Sequence, residues 1–162
     1  RVLLSDERWV PEDDPRSNTK LVRERLLTGR AAAAQMVPLH QEGVTPHAAL
    51  DGLTNGIETA LPVDVCLLGM GADMHTASLF PGAPGLNAAL GPEAPILTVQ
   101  TPDGQPETRI SLSARVLRDA VALHVVITGA AKKEAVERAV HLPPEEAPIA
   151  ALLDRADIHW AE

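Results

Sequence analysis

Aromatic side chains are almost missing: two tryptophans (Trp9 and Trp160), one phenylalanine (Phe80) and no tyrosine make up 2% of the 162 residues. So few stacking platforms leave little with which to hold single-stranded nucleic acid or to sandwich sugar rings. The core must be aliphatic. Positive charge is also short, with 14 Lys and Arg against 22 Asp and Glu and a formal net charge of −8. That balance argues against nucleic acid or an anionic membrane as the main partner, so any anionic ligand must be met by basic residues gathered locally. Cysteine occurs once, as Cys66. It cannot form an internal disulfide, and within Val63-Asp64-Val65-Cys66-Leu67-Leu68 it reads as a small core residue that fits a reducing compartment. No apolar stretch approaches the ~18 residues of a membrane span, and no basic-then-apolar leader opens the chain. A cytoplasmic location is expected. Arg1 leads at once into the strand-like run Val2-Leu3-Leu4-Ser5, which reads as an internal cut with further chain upstream.

What is present suits a folded domain: 45% hydrophobic and 22% charged residues, in a length expected to form one domain. Val2 to Ser5 predicts a strand, followed by a loop that carries Asp6-Glu7-Arg8 and runs through Pro15. Ser17 and Asn18 can cap a helix whose buried face would carry Leu21, Val22 and Leu26, ended by Gly29. Met36 to Leu39 suggests a brief strand, and Thr45-Pro46 opens a helix with Leu50, Leu53, Ile57 and Leu61 at helical spacing. The near-continuous apolar run Val63 to Leu68 predicts a strand buried on both faces. Ile96 to Gln100 and Arg109 to Leu112 read as an antiparallel pair, and Ser113 as the cap of a short helix. Ala122 to Thr128 is a further buried strand, Lys132 to His141 a helix with Val136, Ala139 and Val140 inward, and Asp157 to Trp160 a last strand. Ile149 to Leu153 reads as one or two helical turns. Strands alternating with helices in this way predict an α/β fold with a mainly parallel sheet and no internal repeat.

In such a sheet ligands bind beyond the carboxyl ends of the strands. Three clusters fall there: Asp6-Glu7-Arg8, Gly69-Met70-Gly71-Ala72-Asp73-Met74-His75, and Gly129 to Lys133. His75 follows two glycines and an aspartate, so backbone can approach a ligand and a carboxylate can fix the imidazole tautomer, as a general base requires. A loop histidine that only caps or packs would look the same. No pair of histidines has zinc-ligand spacing. Lys132 and Lys133 open a helix, where the dipole disfavours cations; a bound anion would account for them, and so would ordinary solvation beside Glu134 and Glu137. Arg8 and Arg109 are equally open between ion pairing and anion binding. Several cations beside one base would suit a small phosphorylated substrate.

The run Gly69-Met70-Gly71-Ala72-Asp73-Met74-His75-Thr76-Ala77-Ser78-Leu79-Phe80-Pro81-Gly82 closely resembles the signature of the 6-phosphogluconolactonases. Asp6-Glu7-Arg8-Trp9-Val10-Pro11 followed by Ser17-Asn18, Arg109-Ile110-Ser111-Leu112-Ser113, Gly129-Ala130-Ala131-Lys132 and Ile158-His159-Trp160 support the resemblance in the family's order. Met74 departs from it, standing where the family often has glycine. The resemblance implies a three-layer α/β sandwich of the type shared by glucosamine-6-phosphate deaminases and ribose-5-phosphate isomerases. It also implies a single lactonase domain over residues 1–162, lacking the family's N-terminal strand, helix and glycine-rich phosphate loop. The implied reaction is hydrolysis of 6-phosphoglucono-δ-lactone, with no cofactor. His75 and Asp73 would be catalytic, and Arg8, Asn18, Gly69, Gly71, Arg109 and Lys132 would bind substrate. The deaminase has an asparagine and a glutamate after the equivalent histidine, where this chain has Thr76-Ala77-Ser78-Leu79-Phe80, so the lactonase is favoured over it. A non-catalytic sugar-phosphate sensor would keep the cations but has no use for a base at His75.

Overall fold

The computed structural model describes residues 1–102 and 104–162. In chain order its elements are β1 (Val2–Leu3), β2 (Asp6–Arg8), α1 (Asn18–Arg25), β3 (Met36–Val37), α2 (Pro46–Glu58), β4 (Val65–Gly69), α3 (Leu86–Leu90), β5 (Leu97–Gln100), β6 (Arg109–Leu112), α4 (Ala114–Arg118), β7 (Ala122–Thr128), α5 (Ala130–Ala139) and β8 (Asp157–Ala161), with 3-10 turns at Gly29–Ala33 and Pro148–Ala151. β4, β7 and β8 form a parallel sheet in that order, and β1 pairs in parallel with β3. This is the expected α/β class with mainly parallel pairing. The predicted antiparallel pair β5 and β6 is present, and β2 extends it along the other edge of β6. No helix among the described residues is long and apolar enough to cross a membrane.

The core is aliphatic, as the aromatic shortage requires. Leu53 and Ile57 of α2, Leu68 of β4, Leu123, Val125 and Ile127 of β7, and Ala135 and Ala139 of α5 all lie in one buried cluster. Thr45 caps α2, its hydroxyl accepting from Ala48 N at 3.3 Å, with Pro46 in the first turn. Both features match the sequence pattern.

Four expectations change. Asp6-Glu7-Arg8 is strand β2 and not loop, because every one of its residues pairs across β6: Asp6 with Ser111, Glu7 with Ile110, Arg8 with Arg109. β4 is buried on one face only: Cys66 and Leu68 point inward while Val65 and Leu67 remain 64% and 67% exposed. Hydrophobicity along the run therefore reports apolar side chains on both faces, without saying that both are covered. In α1, Leu21 and Leu26 are exposed and Thr19 is the buried residue, since this helix is held at its N-terminus and not by an apolar stripe. α5 begins two residues early and ends at Ala139, so Val140 falls at its C-terminal cap and is exposed.

The hold on α1 is Glu7, whose side chain is 1% exposed. One carboxylate oxygen accepts from the backbone N–H of Arg8 (2.8 Å) and Asn18 (2.8 Å), the other from Thr19 N (2.7 Å) and the Ser17 hydroxyl (3.1 Å). Ser17 Oγ in turn accepts from Lys20 N. A negative charge is thus set against the positive end of the helix dipole and satisfies N–H groups that the helix cannot. Glu7→Gln turns an acceptor into a donor facing these N–H groups. It is expected to cost about 2–3 kcal/mol, lowering the Tm by roughly 5–10 °C in a calorimetric scan.

Candidate active site

β4 ends at Gly69, and the next turn is tight: Gly71 N donates to His75 O at 2.9 Å and Met74 N to Gly71 O at 3.0 Å. Closing it puts Met74 (φ 68°) and Ala77 (φ 48°) in the left-handed region on either side of His75. Each costs on the order of 1 kcal/mol. Tertiary bonds hold the strained segment: Thr76 Oγ1 donates to Gly69 O (2.9 Å), Ile149 N to Met74 O (3.2 Å), Ser78 N to Ser111 Oγ (3.2 Å) and Ser78 Oγ to Asp6 Oδ2 (2.6 Å).

Within this turn Asp73 Oδ1 lies 2.6 Å from His75 Nδ1. Neutral His75 therefore donates from Nδ1 and keeps its lone pair on Nε2, the arrangement that a general base needs. Gly71 makes the pairing possible, because a methyl group there would overlap both Asp73 Oδ1 and the His75 ring. The other side of the imidazole stacks on Phe80, centroids 4.3 Å apart and planes 23° apart. His75, Asp6 and Lys132 line one cavity of about 300 Å³, with Gly69 and Gly71 in its wall. Asp73 and Phe80 line a second, of about 240 Å³, with Gln105.

One of the predicted cations packs against Phe80, and a second is its cross-strand neighbour. Arg109, 8% exposed, holds its guanidinium 5.3 Å from the Phe80 centroid and donates to Gln105 Oε1 at 2.9 Å. Its cross-strand neighbour is Arg8, which donates to Arg16 O (2.7 Å) and Asn18 Oδ1 (3.1 Å). Among the described residues neither arginine has a carboxylate within ion-pair distance, and the Nε of both is buried without a partner. Burial first, and then the neighbouring Arg8, pull the Arg109 guanidinium below its ordinary range. Asp6 and Glu107 act on it in the opposite sense from beyond ion-pair distance, so two adjacent cations are left without a contacting carboxylate, an arrangement that suits an anion. The ion-pair alternative for Arg8 is not realised, because Glu7 is committed to backbone N–H groups. The two lysines of α5 also separate: Lys133 Nζ lies over the Trp160 ring at 4.4 Å, while Lys132 faces the His75 cavity.

The fold thus brings His75, Asp73, Gly69, Gly71 and Lys132 together, and places Arg109 one aromatic ring away with Arg8 as its cross-strand neighbour. Asn18 is spent on positioning: its Oδ1 accepts from Arg8 and its Nδ2 donates to Asp6 O at 3.1 Å. The sequence does not by itself mark Phe80 as a stacking partner or Gln105 as the support of Arg109, and it offers Asp6 only within the candidate cluster Asp6-Glu7-Arg8. Phe80 was findable as the only phenylalanine of the chain, five residues beyond His75. Gln105 lies in a loop without a pattern of its own.

A histidine oriented by a carboxylate just past the carboxyl end of β4, with Lys132 on the same cavity and the adjacent arginines ending β2 and opening β6, defines a polar site in an α/β domain. The family model described as glucosamine-6-phosphate isomerases/6-phosphogluconolactonase matches residues 1–160, and the chain belongs to that family. It is 42% identical to a 6-phosphogluconolactonase of Rhizobium meliloti, over 99% of this chain and 72% of the relative. A 6-phosphogluconolactonase structure from Shewanella baltica superposes with a TM-score of 0.93 at 32% identity, over 99% of this chain and 71% of that one. A monomeric glucosamine-6-phosphate deaminase shares the fold, with a TM-score of 0.76 at 17% identity, over 98% of this chain and 70% of that one.

Gly71→Ala is expected to force Asp73 and His75 apart. Nitrogen-15 NMR of the imidazole should then show the Nε2–H tautomer gaining population, and turnover should fall on the order of 10²-fold, with the circular dichroism spectrum kept.

Proposed function

We infer that the chain hydrolyses 6-phosphoglucono-δ-lactone to 6-phosphogluconate, the lactone-opening step of the pentose phosphate pathway, and that residues 1–162 act as one lactonase domain. The observation that carries this reading is the 2.6 Å Asp73–His75 pair, which leaves a basic Nε2 in a cavity shared with Lys132.

A water held by Nε2 loses its proton to His75 as it attacks the lactone carbonyl, and Asp73 stabilises the imidazolium that forms. The tetrahedral oxyanion draws on the positive charge gathered at the site. Its collapse breaks the bond from the carbonyl carbon to the ring oxygen, and the imidazolium returns the proton to the leaving alkoxide. The product is an open-chain carboxylate. Arg8, Arg109 and Lys132 serve the phosphate and the developing carboxylate, while the Gly69 and Gly71 backbones let the sugar approach closely. Ser78 is fully buried with its hydroxyl donated to Asp6, and Ser5, which lines the cavity, donates its own hydroxyl to the same carboxylate; both serines are engaged, which supports water as the nucleophile. A phosphorylated lactone suits a cytoplasmic enzyme. Cys66 fits there too, its thiol pushed up to about 11 by burial and therefore unreactive.

His75→Ala is expected to lower kcat by roughly 10²- to 10⁴-fold, followed by a rapid lactone assay corrected for spontaneous opening. An unchanged kcat removes His75 from the mechanism. Lys132→Ala is expected to weaken 6-phosphogluconate binding by roughly tenfold or more and binding of unphosphorylated gluconate far less, by titration calorimetry. Equal losses on both would place Lys132 away from the phosphate.

A further inference from the structure

Asp6 is the acidic side chain in the wall of the His75 cavity, and the mechanism above gives it no part. Its carboxylate is fixed by hydroxyls: Oδ2 accepts from Ser78 Oγ at 2.6 Å and Oδ1 from Ser5 Oγ at 3.1 Å. Its backbone is held as well, by pairing to Ser111 across β6 and by the Asn18 amide. An ionised carboxylate offers about four acceptor positions. Two are used inside the protein, and no cation among the described residues lies within ion-pair distance of it. The remaining acceptor capacity belongs to a rigid, oriented group beside the base.

What could it meet? A carboxylate only accepts, and it repels the phosphate. The lactone carbonyl and the ring oxygen are acceptors too. The hydroxyls are then the only groups of such a substrate able to satisfy it, and its place beside His75 selects the hydroxyl nearest the reacting carbon. Resting on the lactonase reading, we propose that Asp6 is a specificity-determining residue that accepts a hydrogen bond from the C2 hydroxyl, next to the lactone carbonyl. The site thereby selects α-hydroxylated sugar lactones. A position built to bond a hydroxyl discriminates strongly against the analogue without it, because an acceptor that the bound substrate shields from water is left unpaired.

The test measures kcat/KM for 6-phosphoglucono-δ-lactone and for its 2-deoxy counterpart, each corrected for spontaneous opening, in the wild-type chain, in Asp6→Asn and in Ser78→Ala. The wild type is expected to prefer the hydroxylated lactone by roughly 10²-fold or more beyond the intrinsic difference in reactivity. Asp6→Asn should cut that preference at least tenfold, through loss on the hydroxylated substrate alone. Ser78→Ala, which loosens the loop but keeps the carboxylate, should slow both lactones alike and preserve the ratio. Equal loss on both substrates in Asp6→Asn would make Asp6 a structural strut and overturn the proposal. Should that variant fail to fold, a wild type that hydrolyses both lactones equally well overturns it. A wild type with no turnover of either overturns the functional reading itself, which separates the two failures.

Discussion

Ser78 donates twice at one point: its backbone N–H to Ser111 Oγ and its hydroxyl to Asp6 Oδ2. There the loop leaving the parallel sheet is seated on the antiparallel one. The seat is unusual, being a sheet face made of polar side chains. Cross-strand register sets Asp6, Ser111 and Thr98 in one row and Arg8, Arg109 and Gln100 in the next, and four of the six are buried in full or nearly so. Glu7, Ile110 and Val99 occupy the alternate row, and Ile110 is core. Because side chains alternate with a period of two, one strand of each pair serves core and site together. A one-residue slip would exchange them, turning Arg109 into the core and Ile110 into the cavity. The geometry at His75 therefore depends on a register that the core enforces.

That seat also explains how a strained loop persists. Met74 and Ala77 in left-handed conformations cost on the order of 1 kcal/mol each. The bond from Ser78 to the ionised Asp6 contributes about 1.5–3 kcal/mol, and each neutral bond made by Thr76, Met74 and Ser78 N about 1. The bonds outweigh the strain, and they converge on the segment that carries the base. Gly71 completes the arrangement by what it lacks, since any Cβ would occupy the space of the Asp73–His75 pair.

Much of the site was legible in the residues, because its parts lie close together in sequence. Asp73, His75, Gly69 and Gly71 fall within seven positions at the end of one apolar run, and strand-end logic places such a run at a ligand site. The order of elements was legible too, including the β5–β6 hairpin and the cap of α2. What stayed hidden depends on partners far along the chain. Asp6-Glu7-Arg8 carries no apolar alternation, so only the register with β6 makes it a strand. Glu7 resembles a surface charge beside Arg8, and nothing local tells that four donors from its own neighbour and from residues 17–19 enclose it. Val65 and Leu67 mislead in the opposite sense, since apolar composition cannot say whether a face is covered. Lys132 and Lys133 are equivalent as letters, and the three-dimensional position of Trp160 separates them.

An acidic chain that binds a dianion has to overcome its own charge, and the distribution of cations shows how. The net charge of −8 acts mainly through surface groups that salt screens beyond about 8 Å at physiological ionic strength. Arg109 is buried and Arg8 partly so, and among the described residues neither has a carboxylate within ion-pair distance, so the field they present to an anion is screened far less. Their mutual repulsion is tolerated because the Arg16 carbonyl and the side-chain amides of Asn18 and Gln105 hold the guanidinium groups, which stabilises each without neutralising it. Neutral acceptors keep the positive charge available, whereas an ion pair would have cancelled it. Asp6 makes the complementary choice, a carboxylate held by hydroxyls with no cation among the described residues within ion-pair distance. Charges of both signs are in this way kept oriented by neutral hydrogen-bond partners around the His75 turn, and on this arrangement rest the roles proposed above for the phosphate, the hydroxyls and the reacting carbonyl.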